Sequence, residues 1–174
     1  MKLISKEKYT LEDIEKIENF RRAILQFEEE IVKAPGSYGD PNNPGQDEVA
    51  NTINPLKHTF SDGLYIREIF MPKGQLFTTG IHKQEHPYFI QKGKVRVLTE
   101  NGMQHITAPY NGITKPGTKR VIYTEEDTIW ITVHATRKKT VKTVLKQIIA
   151  KDFNDPKINI ETMKQNLQIQ NKQL

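Results

Sequence analysis

Hydrophobic residues recur three, four or seven positions apart over residues 11–33, which is the spacing of one face of an amphipathic helix. Thr10 followed by Asp13 supplies an N-cap with an acidic residue at the third helical position, and Pro35-Gly36 ends the pattern. We expect this helix to pack on the body of the protein or on a second copy. Its apolar positions are Leu11, Ile14, Ile17, Ile24, Phe27 and Ile31.

From residue 64 to residue 135 the pattern changes to short segments rich in Val, Ile, Thr, Tyr and Phe, each bounded by a turn signal. The strongest signal is Asn101-Gly102, because a two-residue type I′ turn needs positive φ at both central positions. The predicted strands are residues 64–71, 75–82, 87–91, 94–99, 103–108, 119–124 and 128–135. With no helical segment between them, they predict an antiparallel jelly-roll barrel or sandwich and exclude a parallel α/β sheet.

Four segments follow from these patterns. Residues 1–34 form an N-terminal helical segment, and residues 35–57, rich in Pro and Gly, form an arm or linker. Residues 58–136 form the barrel. A helical period returns over residues 140–150, so residues 137–174 are predicted as a basic C-terminal helix with a polar tail, the tail being either a short docking helix or disordered.

Composition narrows the functional classes. A chain of 174 residues suits one domain with appendages, and the absence of cysteine excludes disulfides, thiol nucleophiles and thiolate zinc sites. The net charge of +5 belongs to the C-terminal extension, because residues 1–136 hold 17 basic and 18 acidic side chains. No aromatic residue interleaves with Arg137-Lys138-Lys139, so a nucleic-acid partner is not expected. The apolar runs are too short for a signal peptide or membrane span, which predicts a soluble, non-secreted protein.

Three histidines carry most of the chemical information. The strand period of two places His82 at the end of one mixed face and His134 at the end of another, while His86 precedes Pro87 four residues after His82. If these neutral imidazoles converge, they suit Zn²⁺, Fe²⁺, Mn²⁺ or Ni²⁺, with Glu85 as a fourth ligand or general base. The alternative for each is a hydrogen-bonded structural histidine.

Residues 80–97, GIHKQEHPYFIQKGKVRV, and residues 108–134, APYNGITKPGTKRVIYTEEDTIWITVH, resemble a cupin, and more closely the small cupin-like proteins encoded by tailed bacteriophages. The resemblance covers roughly residues 56–136. It implies a double-stranded β-helix barrel with the ligand site inside, often dimeric and often holding one divalent metal.

Two departures from the cupin motifs change the expected site. His82 matches the second histidine of the first motif, but Gly80 and His86 stand where its first histidine and its glutamate belong. In the second motif, Arg120 stands at the histidine position. A metal site is therefore either rebuilt from His82, His86 and His134 or absent.

Arg120 favours a different ligand chemistry. An inward guanidinium suits a carboxylate or phosphate, with Lys119, His82 and Tyr88 as helpers. The alternative is a buried pair between Arg120 and Glu85, which would need no anionic ligand.

Two functional hypotheses follow. The first is a cupin-type protein, phage-encoded by its resemblance, that binds a divalent metal, a small anionic ligand or both, with catalysis left open. The second is a non-catalytic virion or assembly component that uses the barrel as a scaffold. The expected partners are further copies of the chain, an anionic small molecule and, in the second case, virion proteins. The expected location is the cytoplasm, which is the host cytoplasm for a phage-encoded protein, or the virion.

Overall fold

A computed structural model describes residues 9–40 and 47–172. The parts of the predicted segments that fall on residues 1–8, 41–46 and 173–174 lie outside the described residues. The helices are α1 (Leu11–Ile31), α2 (Glu48–Ile53), α3 (Val141–Ile148) and α4 (Ile160–Lys172). The strands are β1 (Leu56–Ser61), β2 (Leu64–Met71), β3 (Leu76–Thr78), β4 (Ile81–His82), β5 (His86–Lys92), β6 (Lys94–Thr99), β7 (Gly102–Thr107), β8 (Tyr110–Thr114), β9 (Val121–Thr124), β10 (Thr128–Ala135) and β11 (Ile149–Ala150).

The strands form antiparallel sheets with the connectivity of a jelly roll. One sheet has the order β1-β2-β10-β5-β8, the second has the order β3-β9-β6-β7, and β4 pairs with β11. Without β1, the two larger sheets each contain four strands, and the chain passes repeatedly from one to the other, as in two Greek keys. The predicted antiparallel jelly-roll fold with N-terminal and C-terminal helices is confirmed. The described strands form separate sheets and not one closed barrel.

Strand alternation sorts apolar and polar side chains between the two faces of each sheet. On β10, the buried positions are Thr128, Trp130, Thr132 and His134, and the residues between them are partly exposed. The main core lies between the sheets and consists of Met71, Tyr88, Ile90, Val95, Val97, Ile106, Ile122 and Trp130. The apolar core therefore fills only part of the space between the sheets, because His134 and Thr132 continue the same inner face.

The N-terminal helix packs on the body of the protein. It begins with a capping box, in which the Thr10 hydroxyl accepts from the Asp13 amide and the Asp13 carboxylate accepts from the Thr10 amide. Arg21 is buried, and its Nη1 donates to the Ile158 carbonyl at 2.7 Å. The guanidinium of Arg21 also lies over the Phe153 ring. These contacts join α1 to the segment that leads into α4.

Helix α3, which follows the last strand of the five-stranded sheet, closes one end of the sheets. Val144 and Ile148 of α3 pack against Tyr65, which is fully buried. None of the helices in residues 9–40 and 47–172 has the length and apolarity needed to cross a bilayer.

Candidate ligand and metal site

A cavity of about 710 Å³ lies between the sheets. Its walls come from strands of both larger sheets, from β4, from α2 and the residues flanking it, and from α3. The C-terminal end of α1 and residues 34–40 cover one side of it. A volume of this size is typical of small-molecule sites.

The three predicted histidines meet at one end of this cavity. The ring centroids of His82 and His86 are 4.5 Å apart, those of His86 and His134 are 4.1 Å apart, and those of His82 and His134 are 6.2 Å apart. Strands β4, β5 and β10 supply one histidine each, so the convergence depends on the jelly-roll topology.

Each of these imidazoles keeps a buried ring nitrogen without a hydrogen-bond partner among the described residues. The unpartnered atoms are His82 Nδ1, His86 Nε2 and His134 Nδ1, together with the hydroxyl of Thr132. His86 Nδ1 lies 3.1 Å from the Gln84 carbonyl, which assigns the proton to Nδ1 and leaves a lone pair on Nε2. Buried polar atoms without partners are uncommon, and they point to a ligand.

The histidines are neutral at pH 7. Burial lowers the pKa of His86 to about 4, because the charged imidazolium loses its hydration. Burial, followed by repulsion from His86 and Arg67, lowers the pKa of His134 to about 3. Burial and the neighbouring cations also hold the pKa of His82 well below its ordinary value. Neutral imidazole is the form that binds metals and accepts hydrogen bonds.

Arg120 lines the cavity and immediately precedes β9 of the four-stranded sheet, opposite the sheet that contains His86 and His134. It is 6% exposed, its Nη2 donates to the Thr114 hydroxyl at 2.9 Å, and its guanidinium lies 5.2 Å from the ring centroid of Tyr88. Burial lowers the pKa of Arg120, but a guanidinium stays charged in a protein. The aromatic face and the hydroxyl hold the planar cation in place without neutralising it.

A second arginine, Arg67 on β2, lines the same cavity opposite Thr132. Within residues 9–40 and 47–172, neither guanidinium forms an ion pair with a carboxylate. Arg67 was not predicted as a site residue. The alternation of side chains along β2 could have placed it, because every second residue of this strand faces inward. These inward residues are Tyr65, Arg67, Ile69 and Met71.

Three predicted site residues lie elsewhere. Glu85, in the turn between β4 and β5, is exposed and lies outside the cavity lining, and no ion pair joins it to Arg120 within the described chain. Lys119 is buried in an ion pair with Glu28 of α1. Tyr88 stacks on Trp130 with ring centroids 4.7 Å apart, and its ring packs against the Arg120 guanidinium outside the cavity lining. Burial raises the pKa of Tyr88 to about 12, which keeps the phenol protonated.

The donor chemistry fits a divalent transition metal, but the present ring arrangement is not a coordination set. Three neutral imidazoles with free nitrogens are suitable ligands for Zn²⁺, Fe²⁺, Mn²⁺ or Ni²⁺. As the side chains stand, no group of three or more His, Asp or Glu residues in the described ranges could hold a metal ion. Metal binding therefore requires the imidazoles to turn.

No protein-family model matches the chain, and no curated protein matches it. Solved structures similar to it include an RmlC-like cupin from Shewanella frigidimarina, at 15% identity over 48% of this chain and 77% of the other, with a TM-score of 0.41. A cupin 2 domain-containing protein from Halorhodospira halophila is 11% identical over 56% of this chain and 76% of the other, with a TM-score of 0.43. A putative acetylacetone dioxygenase from Methylibium petroleiphilum is 18% identical over 46% of this chain and 60% of the other, with a TM-score of 0.39. The fold assignment rests on the strand order and not on these similarities.

Proposed function

We propose that this chain binds a small anionic ligand in the cavity, beside a divalent transition metal held by His82, His86 and His134. One observation carries the proposal: three neutral histidines with unpartnered nitrogens face the same cavity as two arginines without carboxylate partners. When bound, the metal would supply Lewis-acid polarisation of a ligand oxygen. Arg67 and Arg120 would bind the anion and fix its orientation.

The two arginines support the anion half of the proposal. Arg120 is buried and Arg67 is partly buried, and burying a charge fully without a counterion costs on the order of several kcal/mol. Glu28, Asp40 and Asp47 also line the cavity, but within the described ranges none of them forms an ion pair with Arg67 or Arg120. The Glu28 carboxylate is paired with Lys119 and bonded to the Thr78 hydroxyl, and Asp47 accepts from the Gly39 and Ala50 amides. A ligand that brings its own negative charge removes this cost.

The environment of His86 supports the metal half. Its Nδ1 proton is held by the Gln84 carbonyl, an arrangement that fixes the tautomer and directs the Nε2 lone pair into the cavity. A carbonyl behind an imidazole is a common second partner of metal-ligating histidines.

Metal retention tests the metal half. The purified full chain is stripped with chelator, equilibrated with Zn²⁺, Mn²⁺, Fe²⁺ or Ni²⁺, dialysed and analysed by mass spectrometry. We expect about one retained equivalent of one of these metals, loss of that equivalent in His86→Ala, and full retention in His105→Ala. His105 is the matched control because it is an exposed histidine on β7, outside the cavity lining. No retained metal in the wild-type chain overturns this half.

A second candidate function, assembly, is favoured by the outer face of the five-stranded sheet. Ile66 lies opposite Val133, Ile131 opposite Phe89, and Pro87 opposite Ile113. Phe89 is 41% exposed and Ile113 is 56% exposed. The solvent face of an antiparallel sheet usually carries polar residues, so these apolar pairs, although Glu68 and Asn111 lie among them, indicate a covering surface.

For this assembly face the proposed occupant is a second copy of the chain, in the virion setting that the resemblance to phage proteins implies. Lys57 lies opposite Glu68 at the flank of the face, so this flank carries no net charge that would repel the same surface of a second copy. We expect light scattering to give a dimer for the wild type and a monomer for Phe89→Ser with Ile113→Ser. Met103→Ser, an exposed apolar residue on the other sheet, is the control. A monomeric wild type contradicts this candidate.

A further inference from the structure

The inner face of the five-stranded sheet is divided into a polar half and an apolar half. Along β2 and β10, Tyr65 pairs with His134 and Arg67 pairs with Thr132. The next inward pair on these strands is Ile69 with Trp130. Of these residues, Arg67, Ile69, Trp130, Thr132 and His134 line the cavity. A ligand along this face therefore meets imidazoles first, then a guanidinium, then apolar side chains.

The four-stranded sheet has the same change from a polar to an apolar cavity wall, and it also comes just after an arginine. Arg120 stands two residues before Ile122, as Arg67 stands two residues before Ile69. Ile122 of β9 pairs directly with Phe77 of β3, and both side chains line the cavity. The two arginines thus mark a common boundary, beyond which both walls are apolar.

The far end of the apolar half is closed by polar groups that satisfy one another. The Tyr38 hydroxyl donates to the Asn54 side-chain oxygen at 3.2 Å, and Asn54 Nδ2 donates to the Gln75 side-chain oxygen at 2.7 Å. Gln75 Nε2 also bonds to the Tyr38 hydroxyl. These groups need no ligand atom, so the far end of a bound molecule can be uncharged.

We infer that the anionic ligand is an amphipathic carboxylic acid, with its carboxylate between Arg67 and Arg120 and its apolar body against Ile69, Phe77 and Ile122. This inference rests on the proposed function, because it names the ligand class of the same cavity. At the strand rise of roughly 3.3 Å per residue, Arg67 and Met71 are about 13 Å apart, which leaves room for a body of several carbons. A second carboxylate at the far end would find no cation among the described residues there: Tyr38, Asn54 and Gln75 bond to one another, and Asp40 and Asp47 of the same lining would repel it.

Binding to the full chain is measured by calorimetry with a series of probes. The series contains the straight-chain monocarboxylates from acetate to decanoate, the dicarboxylates of matched length, and inorganic phosphate. We expect monocarboxylate affinity to rise roughly fourfold per added methylene until the apolar half is filled, which corresponds to about 0.8 kcal/mol each. A dicarboxylate should bind at least about tenfold more weakly than its matched monocarboxylate.

Two variants locate the head group. Arg120→Met keeps the length of the side chain without its charge and should weaken octanoate binding by about tenfold or more. Arg96→Met, which removes a partly exposed arginine paired with Glu125 on the outside of the sheet, should leave binding unchanged. If Arg120→Met does not fold, the wild-type series alone decides.

The outcomes separate the inference from the proposed function. Equal affinity for butanoate and octanoate, or tighter binding of a dicarboxylate or phosphate, overturns the amphipathic ligand while leaving anion binding intact. No binding of any anion overturns both. Metal retention, measured on the same samples, reports on the histidines independently of either result.

Discussion

The fully buried ammonium of Lys119 lies 2.8 Å from the carboxylate of Glu28 in α1. The same ammonium donates to the Thr79 carbonyl at 2.9 Å, and Glu28 also accepts from the Thr78 hydroxyl. A single buried charge pair, with hydrogen bonds on both sides, therefore joins the N-terminal helix to the sheet edge beside the cavity.

Removing Glu28 should destabilise the protein strongly. Glu28→Ala leaves the Lys119 ammonium buried without a counterion, and breaking a buried pair in this way costs about 3–5 kcal/mol. The free energy of unfolding in urea measures the loss. Glu30→Ala is the control on the same helix, because Glu30 pairs with Lys33 at the surface, where such a pair contributes at most about 1 kcal/mol. Equal losses in the two variants would contradict a stabilising role for the buried pair.

The contact between Lys119 and Glu28 could not be predicted from the sequence. Lys119 was predicted as a helper of Arg120, but adjacent residues in an extended chain point to opposite sides. Arg120 faces the cavity, and Lys119 faces α1. Which acidic residue of a distant helix meets Lys119 is set by tertiary packing, and no local pattern encodes it.

The strands and histidines were more predictable because they depend on local alternation. The bounds of β2, β6 and β10 match the predicted ranges, since Val, Ile and aromatic residues alternate there between clear turns. Strands β1 and β8 were not predicted: LKHTFS and YNGIT lack a regular apolar period.

The phase of β10 predicted that His134 shares a face with Trp130. Arg67 could have been found by applying the same phase to β2, whereas the turn that carries Glu85 to the surface has no such period.

Gly117 should tolerate a side chain less well than Gly36. Both glycines have positive φ, +81° and +82°, so a Cβ is strained by about 1 kcal/mol at either position. At Gly36 the Cβ meets open space, whereas at Gly117 it would meet the buried guanidinium of Arg21. We expect Gly117→Ala to lower the free energy of unfolding by at least about 1 kcal/mol more than Gly36→Ala does. Similar losses in urea unfolding would show that Arg21 moves aside without cost.

Gly112 should control the position of Tyr88. A Cβ at Gly112 would lie 2.7 Å from the phenol ring atoms of Tyr88, so the ring must shift. Because Tyr88 stacks on Trp130, the only tryptophan of the chain, Gly112→Ala should change the emission of that residue and destabilise the protein by about 1–3 kcal/mol. Asn111→Ala alters the neighbouring exposed residue of β8 and should change neither signal. Unchanged emission in Gly112→Ala would contradict the close packing of ring on glycine.

The buried histidines should make the metal-free protein lose stability as the pH falls from 6.5 toward 4. The pKa values of His86 and His134 are lowered from 6.5 to about 4 and about 3, so in this range the unfolded chain binds protons that the folded chain does not. Each such histidine lowers the free energy of unfolding by about 1.4 kcal/mol per pH unit. Urea unfolding in chelator at several pH values measures the slope. His86→Gln should flatten the slope by about 1.4 kcal/mol per pH unit, and His105→Gln should leave it unchanged. An unchanged slope in His86→Gln would contradict a lowered pKa of His86 in the folded protein.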